Sequence, residues 1–235
     1  MTEKIITTQH NLEILYEDNH LMVINKRAGD LVQGDKTGDL PLSEIIKIFL
    51  KKRDHKPGNV YLGVVHRLDR PTTGVVLFAK TSKALSRLNK AFSEKTPKKT
   101  YWAIVKNRPE QDSAELVHYL KRNPKQNKSY AHTNEIPNSK KAILNYTLKQ
   151  TLQNYYLLEI NLKTGRHHQI RSQLSKIGCP IKGDLKYGFD RSNENASIHL
   201  HAKMLEIIHP VTKEKLSITA PIPESDAIWK ACKDN

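Results

Sequence analysis

The sequence has no stretch of about 18 apolar residues, so no segment reads as a membrane-crossing helix. No basic amphipathic helix with aromatic anchors is present either, and the opening Met1-Thr2-Glu3-Lys4-Ile5-Ile6-Thr7-Thr8-Gln9-His10 lacks the apolar core of a secretory signal. The expected location is the cytoplasm. Cysteine is scarce: Cys179 and Cys232 stand alone, with no CxxC spacing, which excludes a disulfide framework and fits a reducing compartment. Cys179, between Gly178 and Pro180, reads as a small buried residue rather than a nucleophile. Acidic residues are in deficit, 24 against 39 Lys and Arg, and the resulting net charge of +15 is spread along the chain. Such a surplus points to a polyanion, and with a membrane set aside the expected partner is nucleic acid. Internal repeats, low-complexity tracts and Gly/Ser linkers are missing too, so residues 1–235 are expected to form one domain, with a monomer as the default state.

What is there is a mixture of strand and helix patterns that do not strictly alternate. Two apolar runs, Leu12 to Tyr16 and Leu21 to Asn25, flank Glu17-Asp18-Asn19-His20 and predict a hairpin. Leu42, Ile45, Ile46, Phe49 and Leu50 recur at about 3.6 residues, predicting a helix with Pro41 at its start and Lys51, Lys52 and Arg53 at its end. A second helix follows a Thr81 or Ser82 cap and buries Leu85, Leu88 and Phe92. Strands are expected over 100–105, 142–149, 155–162, part of 197–208, and 215–219. Ile170, Leu174 and Ile177 mark a short helix stopped at Gly178, and Thr164-Gly165-Arg166-His167-His168 opens onto its N-terminus, a common setting for anions. Residues 121–141 carry Lys121, Arg122, Lys125, Lys128, Lys140 and Lys141 among Asn, Pro and Ser. They read as an exposed basic loop or insertion, either solvated surface or an RNA contact. The fold class this predicts is α+β, a mixed and mostly antiparallel central sheet with flanking helices.

Chemistry concentrates at Val65-His66-Arg67-Leu68-Asp69-Arg70-Pro71-Thr72-Thr73-Gly74, where one carboxylate stands between two arginines ahead of an apolar strand. Nearby guanidinium groups favour a carboxylate's charged form, which suits a nucleophile; a salt-bridged turn residue is the competing reading. Asp184, in Ile181-Lys182-Gly183-Asp184, is the other acid in a distinctive glycine context, so hydrolysis by paired carboxylates is an alternative. The arginines suit an anionic substrate better than a neutral sugar. Among the 11 histidines, His167-His168 would diverge on a helix and His199 and His201 could face one side of a strand, but no HExxH or Cys cluster accompanies them. No metal site is expected.

The Asp69 segment resembles the catalytic HRLDRxTSG segment of the RluA family of pseudouridine synthases. Four further blocks resemble the family in the same order: Lys99-Thr100-Tyr101 its KxY, Thr164 to Arg171 its TGRxHQIR, Gly178 to Gly188 its GxPIxGDxxYG, and Leu200-His201-Ala202 to Ala220-Pro221 its closing segment. The resemblance implies an isomerase without cofactor or metal that converts specific uridines of structured RNA, ribosomal RNA or a transfer RNA stem-loop, into pseudouridine. The N1 glycosidic bond breaks, the uracil turns, and the ribose is rejoined through C5. A base inside a stacked helix must first be extruded. By resemblance Asp69 is the nucleophile, acting at C1′ directly or by assisting loss of the base. Arg171 is its basic partner, orienting Asp69 and keeping it ionised. Tyr101 holds the uracil and relays a proton. Arg67 fills the vacated stack or steadies the flipped nucleotide, Ile170 lines the base pocket, and His66, Arg70, Arg166, His168 and Gln169 are expected at the RNA. Lys26-Arg27-Ala28-Gly29 departs from the family's KPxG, with arginine for proline, and Pro71-Thr72-Thr73 stiffens the turn after Asp69. About a dozen residues precede the first matched strand, too few for the S4-type RNA-binding module of many relatives, so a stand-alone catalytic domain is expected.

Overall fold

The structure is a computed structural model that describes residues 6–35, 37–223 and 226–232. Where the sequence predicts one domain, the chain divides into two compact units, Met1–Lys98 with Ala202–Pro221 and Lys99–His201 with Ile222–Asn235.

In the first unit β1 (Ile14–Glu17) and β2 (Leu21–Lys26) form the expected hairpin, whose turn is closed by Asp18: its Oδ1 accepts the backbone N–H groups of His20 and Leu21, each at 2.7 Å. Helix α1 (Leu42–Arg53) is followed by β3 (Gly63–Val64), β4 (Thr73–Ala79) and α2 (Ser82–Ser93), the last capped by the Thr81 hydroxyl. Strands β10 (Leu200–Ile208) and β11 (Lys215–Thr219) complete a strand order β1-β2-β4-β10, with β3 on β4 and β11 on β10. The pairing Met22↔Phe78 and Ile24↔Val76 alternates with Leu21↔Ala79 and Val23↔Leu77. The first set packs with α1 residues Leu42, Ile46 and Leu50, the second with Ala84 and Leu88 of α2 and with Leu205, Ile207 and Ile218. A sheet covered on both faces is why β2 and β4 read as unbroken apolar runs. At the start of β4, Gly74 has φ +108, and a Cβ there would run into the backbone of Ala202.

The second unit orders β5 (Lys98–Val105), β9 (Tyr156–Leu162), β8 (Lys140–Thr151), β6 (Ser113–Asn123) and β7 (Lys128–His132) as β5-β9-β8-β6-β7 with antiparallel pairs throughout. Helix α3 (Gln169–Lys176), a 3-10 turn at Leu185–Tyr187 and the short α4 (Ala227–Lys230) complete it, and Trp229 of α4 packs with Trp102, Ile104 and Leu157. Helix α3 ends as its sequence predicts: the Gly178 N–H bonds Ser175 O and the Cys179 N–H bonds Leu174 O, with Gly178 at φ +75. One expectation is corrected. Residues 121–141 are only in part a loop: they hold the end of β6, a tight turn, all of β7, an irregular connection over 133–139 and the start of β8. Strand β7 hid because it is an edge strand with a polar outer face, and lysines on edges guard against further pairing.

Candidate active site

In the first unit Asp69 is half-buried at the head of a turn that its own carbonyl closes by accepting the Thr72 N–H at 3.0 Å. The turn is held from below by Lys26, the last residue of β2. Its fully buried ammonium donates to Arg27 O at 2.9 Å, Arg70 O at 3.0 Å and Thr72 O at 2.7 Å. Burial pushes its pKa down to about 7, while the carboxylates of Asp30 and Asp69 pull the other way. Three carbonyl acceptors match the three N–H bonds of an ammonium, so one side chain ties down the carbonyls of Arg70 and Thr72 on both sides of Pro71. The Gly29 N–H adds a bond to Arg70 O at 2.9 Å. Both neighbouring basic residues sort clearly. Arg70 is half-buried and bonded within the protein, its Nε on Gly29 O at 3.0 Å and its Nη2 on Asp39, whereas Arg67 is exposed. His66, expected at the RNA, stacks on Phe92 at 5.2 Å between centroids, and its Nε2 accepts the Leu77 N–H at 3.1 Å.

In the second unit Tyr101 lies on β5 opposite Ile160 and is 8% exposed. The segment Thr164 to Arg171 is braced by Gln169, which is buried: its Oε1 accepts from the Thr164 hydroxyl at 2.8 Å and the Arg166 N–H at 3.0 Å, and its Nε2 donates to Ile143 O at 3.1 Å. His168 caps α3 in the left-handed region at φ 52, is buried, and meets the Tyr187 hydroxyl through Nδ1 at 2.9 Å. Burial first, then the Arg171 charge beside it, pushes its pKa down to about 2, so the ring stays neutral. Gln169 and His168 were expected at the RNA; the Gln169 amide and the His168 Nδ1 hold this loop. Arg166 is exposed, its Nε on Lys141 O at 3.1 Å, and Ile170 is buried at 5% exposure.

Arg171 is buried on α3 and grips Asp184 with two nitrogens, Nε to Oδ2 at 2.6 Å and Nη2 to Oδ1 at 2.8 Å. Its guanidinium also lies over the Tyr187 ring, 5.0 Å from the centroid. A forked, buried pair fixes both the charge and the plane of the guanidinium. The sequence singled out Asp184 only as a second carboxylate; the signal for its real place was its glycine turn within the same block as Tyr187. His199 stacks on Trp229 at 5.4 Å and bonds Asn193 through Nδ1 at 3.0 Å, and His201 lies against the same indole at 5.8 Å. Among the described residues no group of three or more His, Cys, Asp or Glu is placed to hold a metal ion, and no helix is long and apolar enough to cross a membrane. Burial raises the Cys179 pKa, which suits a residue of the interior.

Known proteins resemble this chain in sequence and in fold. Residues 20–176 match the family described as RNA pseudouridylate synthase. An uncharacterized RNA pseudouridine synthase of Synechocystis is 36% identical over 220 residues, covering 90% of this chain and 66% of that protein. The ribosomal large subunit pseudouridine synthase C of Buchnera aphidicola is 33% identical over 96% of this chain and 70% of its own length. The tRNA pseudouridine synthase C of Salmonella typhimurium is 34% identical over 91% of this chain and 86% of its own. Among solved structures, human RNA pseudouridylate synthase domain containing 4 superposes with a TM-score of 0.75 at 24% identity, covering 91% of this chain and 89% of that one. The α+β class with its antiparallel pairing is thus shared with pseudouridine synthase structures. The chain belongs to the RNA pseudouridylate synthase family of isomerases.

Proposed function

We propose that this chain isomerises specific uridines of structured ribosomal or transfer RNA to pseudouridine, with Asp69 as its nucleophile. In the reaction the C1′–N1 bond breaks, the uracil turns, C1′ bonds to C5, and the proton leaving C5 is balanced by one gained at N1. Asp69 serves the ribose side. Tyr101 offers a flat ring to the uracil and a phenol to the moving proton. Arg171 supplies the fixed positive charge, and Asp184 positions it. The exposed guanidinium groups of Arg67 and Arg166 are left for the RNA, while His66, Arg70, His168 and Gln169 shape the loops. We further propose that both units together make up one catalytic domain acting on one uridine at a time.

The observation that carries this reading is the clamp on the Asp69 turn. A lysine ammonium is buried to fix two carbonyls within three residues of one carboxylate, an arrangement suited to preorganised chemistry. The test is pseudouridine formation in RNA from cells lacking the protein, read as carbodiimide-dependent stops in primer extension. The wild-type chain should create stops at defined uridines, and Asp69→Asn should abolish them while binding RNA as tightly. Full activity in Asp69→Asn would refute the assignment.

A further inference from the structure

The corrected segment, 121–141, leaves a feature that the reaction does not use. Six of its residues are Lys or Arg and Glu135 is its only acid. In the β6-β7 ribbon Tyr119 pairs with His132 and Lys121 with Tyr130, and across β8 Tyr119 also pairs with Lys141. Directly opposed residues of antiparallel strands share a face, as do alternate residues along one strand. One face therefore carries Lys141, Tyr119 and His132 in one row, then Lys121 and Tyr130 in the next. Tyr130 is 41% exposed, Lys121 and Lys141 are exposed, and the Lys128 ammonium stands 5.3 Å from the Tyr130 ring centre.

The opposite face is mounted on the interior. The Ser129 N–H donates to the Tyr187 hydroxyl at 2.8 Å, the Ser129 hydroxyl meets His167 Nδ1 at 2.9 Å, and Gln173 Nε2 bonds His118 Nδ1 at 3.1 Å. The turn is pinned as well, by Lys186 Nζ on Asn127 O at 3.1 Å. A ribbon held this firmly presents its outer face in one conformation.

We propose that this face is a binding surface for unpaired nucleotides of RNA, with bases stacking on Tyr130 and Tyr119 and phosphates meeting Lys121, Lys128 and Lys141. The diagonal placement of the two tyrosines sets them roughly 7–8 Å apart, which suits two successive splayed bases. Alternating rings and ammonium groups fit a strand whose bases and phosphates alternate, better than an acidic peptide, which offers charge without flat faces. The proposal rests on the assignment of RNA as substrate and names where its looped part is gripped.

The full-length chain would be titrated by fluorescence anisotropy with a single-stranded RNA oligonucleotide, a blunt duplex of the same RNA, and polyglutamate. Tyr130→Ala should weaken single-strand binding about tenfold and duplex binding less than twofold, and Tyr130→Phe should restore it. Lys121→Ala, at an exposed site that folding does not need, should weaken both RNAs and lower the salt slope by about one contact. Unchanged single-strand affinity in both alanine variants overturns the proposal, as does an equal loss for polyglutamate. Turnover measured in parallel separates the two readings. Product with unaltered affinities sinks this surface alone, whereas no product from the wild type, with affinity still lost in Tyr130→Ala, sinks the enzyme assignment and keeps the surface.

Discussion

Two carboxylates stand in glycine-flanked turns of this chain, and their surroundings differ. Asp69 is half-buried over a lysine clamp, whereas Asp184 is 1% exposed and both its oxygens are taken by Arg171. A carboxylate so engaged is no free acid or base, which removes the paired-carboxylate hydrolysis that the sequence left open. Breaking a buried pair from one side costs about 3 kcal/mol. Asp184→Asn should therefore lower the urea-unfolding free energy by about that much and, with Arg171 no longer held in one plane, lower kcat while leaving RNA affinity close to wild type. His168 gives a pH prediction. Its folded pKa of about 2 lies below the ordinary 6.5, so as pH falls below about 6.5 the unfolded chain takes up a proton that the folded chain refuses. That contribution is intact above 6.5 and is lost progressively towards 2. Urea midpoints between pH 6.5 and 4 should fall less steeply in His168→Asn, a residue that tolerates the left-handed φ, than in the wild type.

At the level of elements, the clearest test concerns the strand that follows the Asp69 turn. Gly74→Ala forces a Cβ at positive φ into the backbone of Ala202 and should destabilise the chain by roughly 3 kcal/mol, seen in thermal or urea unfolding. Hairpin β1-β2, helices α1 and α2 and strand β11 were all legible in the sequence, because periodicity, caps and turn residues act locally. Helix α3 was legible only in part. Ile170, Leu174 and Ile177 gave its presence, yet six of its eight residues are buried, including Gln169, Arg171 and Gln173. Their burial depends on partners such as Ile143 O, Asp184 and Leu116 O that arrive from elsewhere in the chain. No window of sequence shows that a polar helix will find acceptors. The same reason hid the roles of Gln169 and His168: type and motif suggested the RNA, and only the fold shows where their hydrogen bonds go. Strand β7 was missed because its ladder partner, not its composition, makes it a strand.

For the whole molecule the net charge of +15 was the most legible property, and it bears on association rather than on fold. With about four phosphates neutralised, RNA affinity should drop roughly 100-fold between about 50 and 200 mM salt, measured by filter binding. A flat salt response would contradict a polyanion partner. The order of the strands carries a meaning in time. In the first unit β4 takes β10 as its neighbour, and β10 leaves the ribosome more than a hundred residues after β4. At about 5–20 residues per second the nascent chain spends at least ~5 s with that edge uncovered. Through that interval the Lys26 clamp has all its partners, since every one of them precedes β4, but Gly74 still lacks the backbone it is shaped to meet. Birth of the enzyme is thus staged, its Asp69 turn drawn early and its edge closed only by a late arrival.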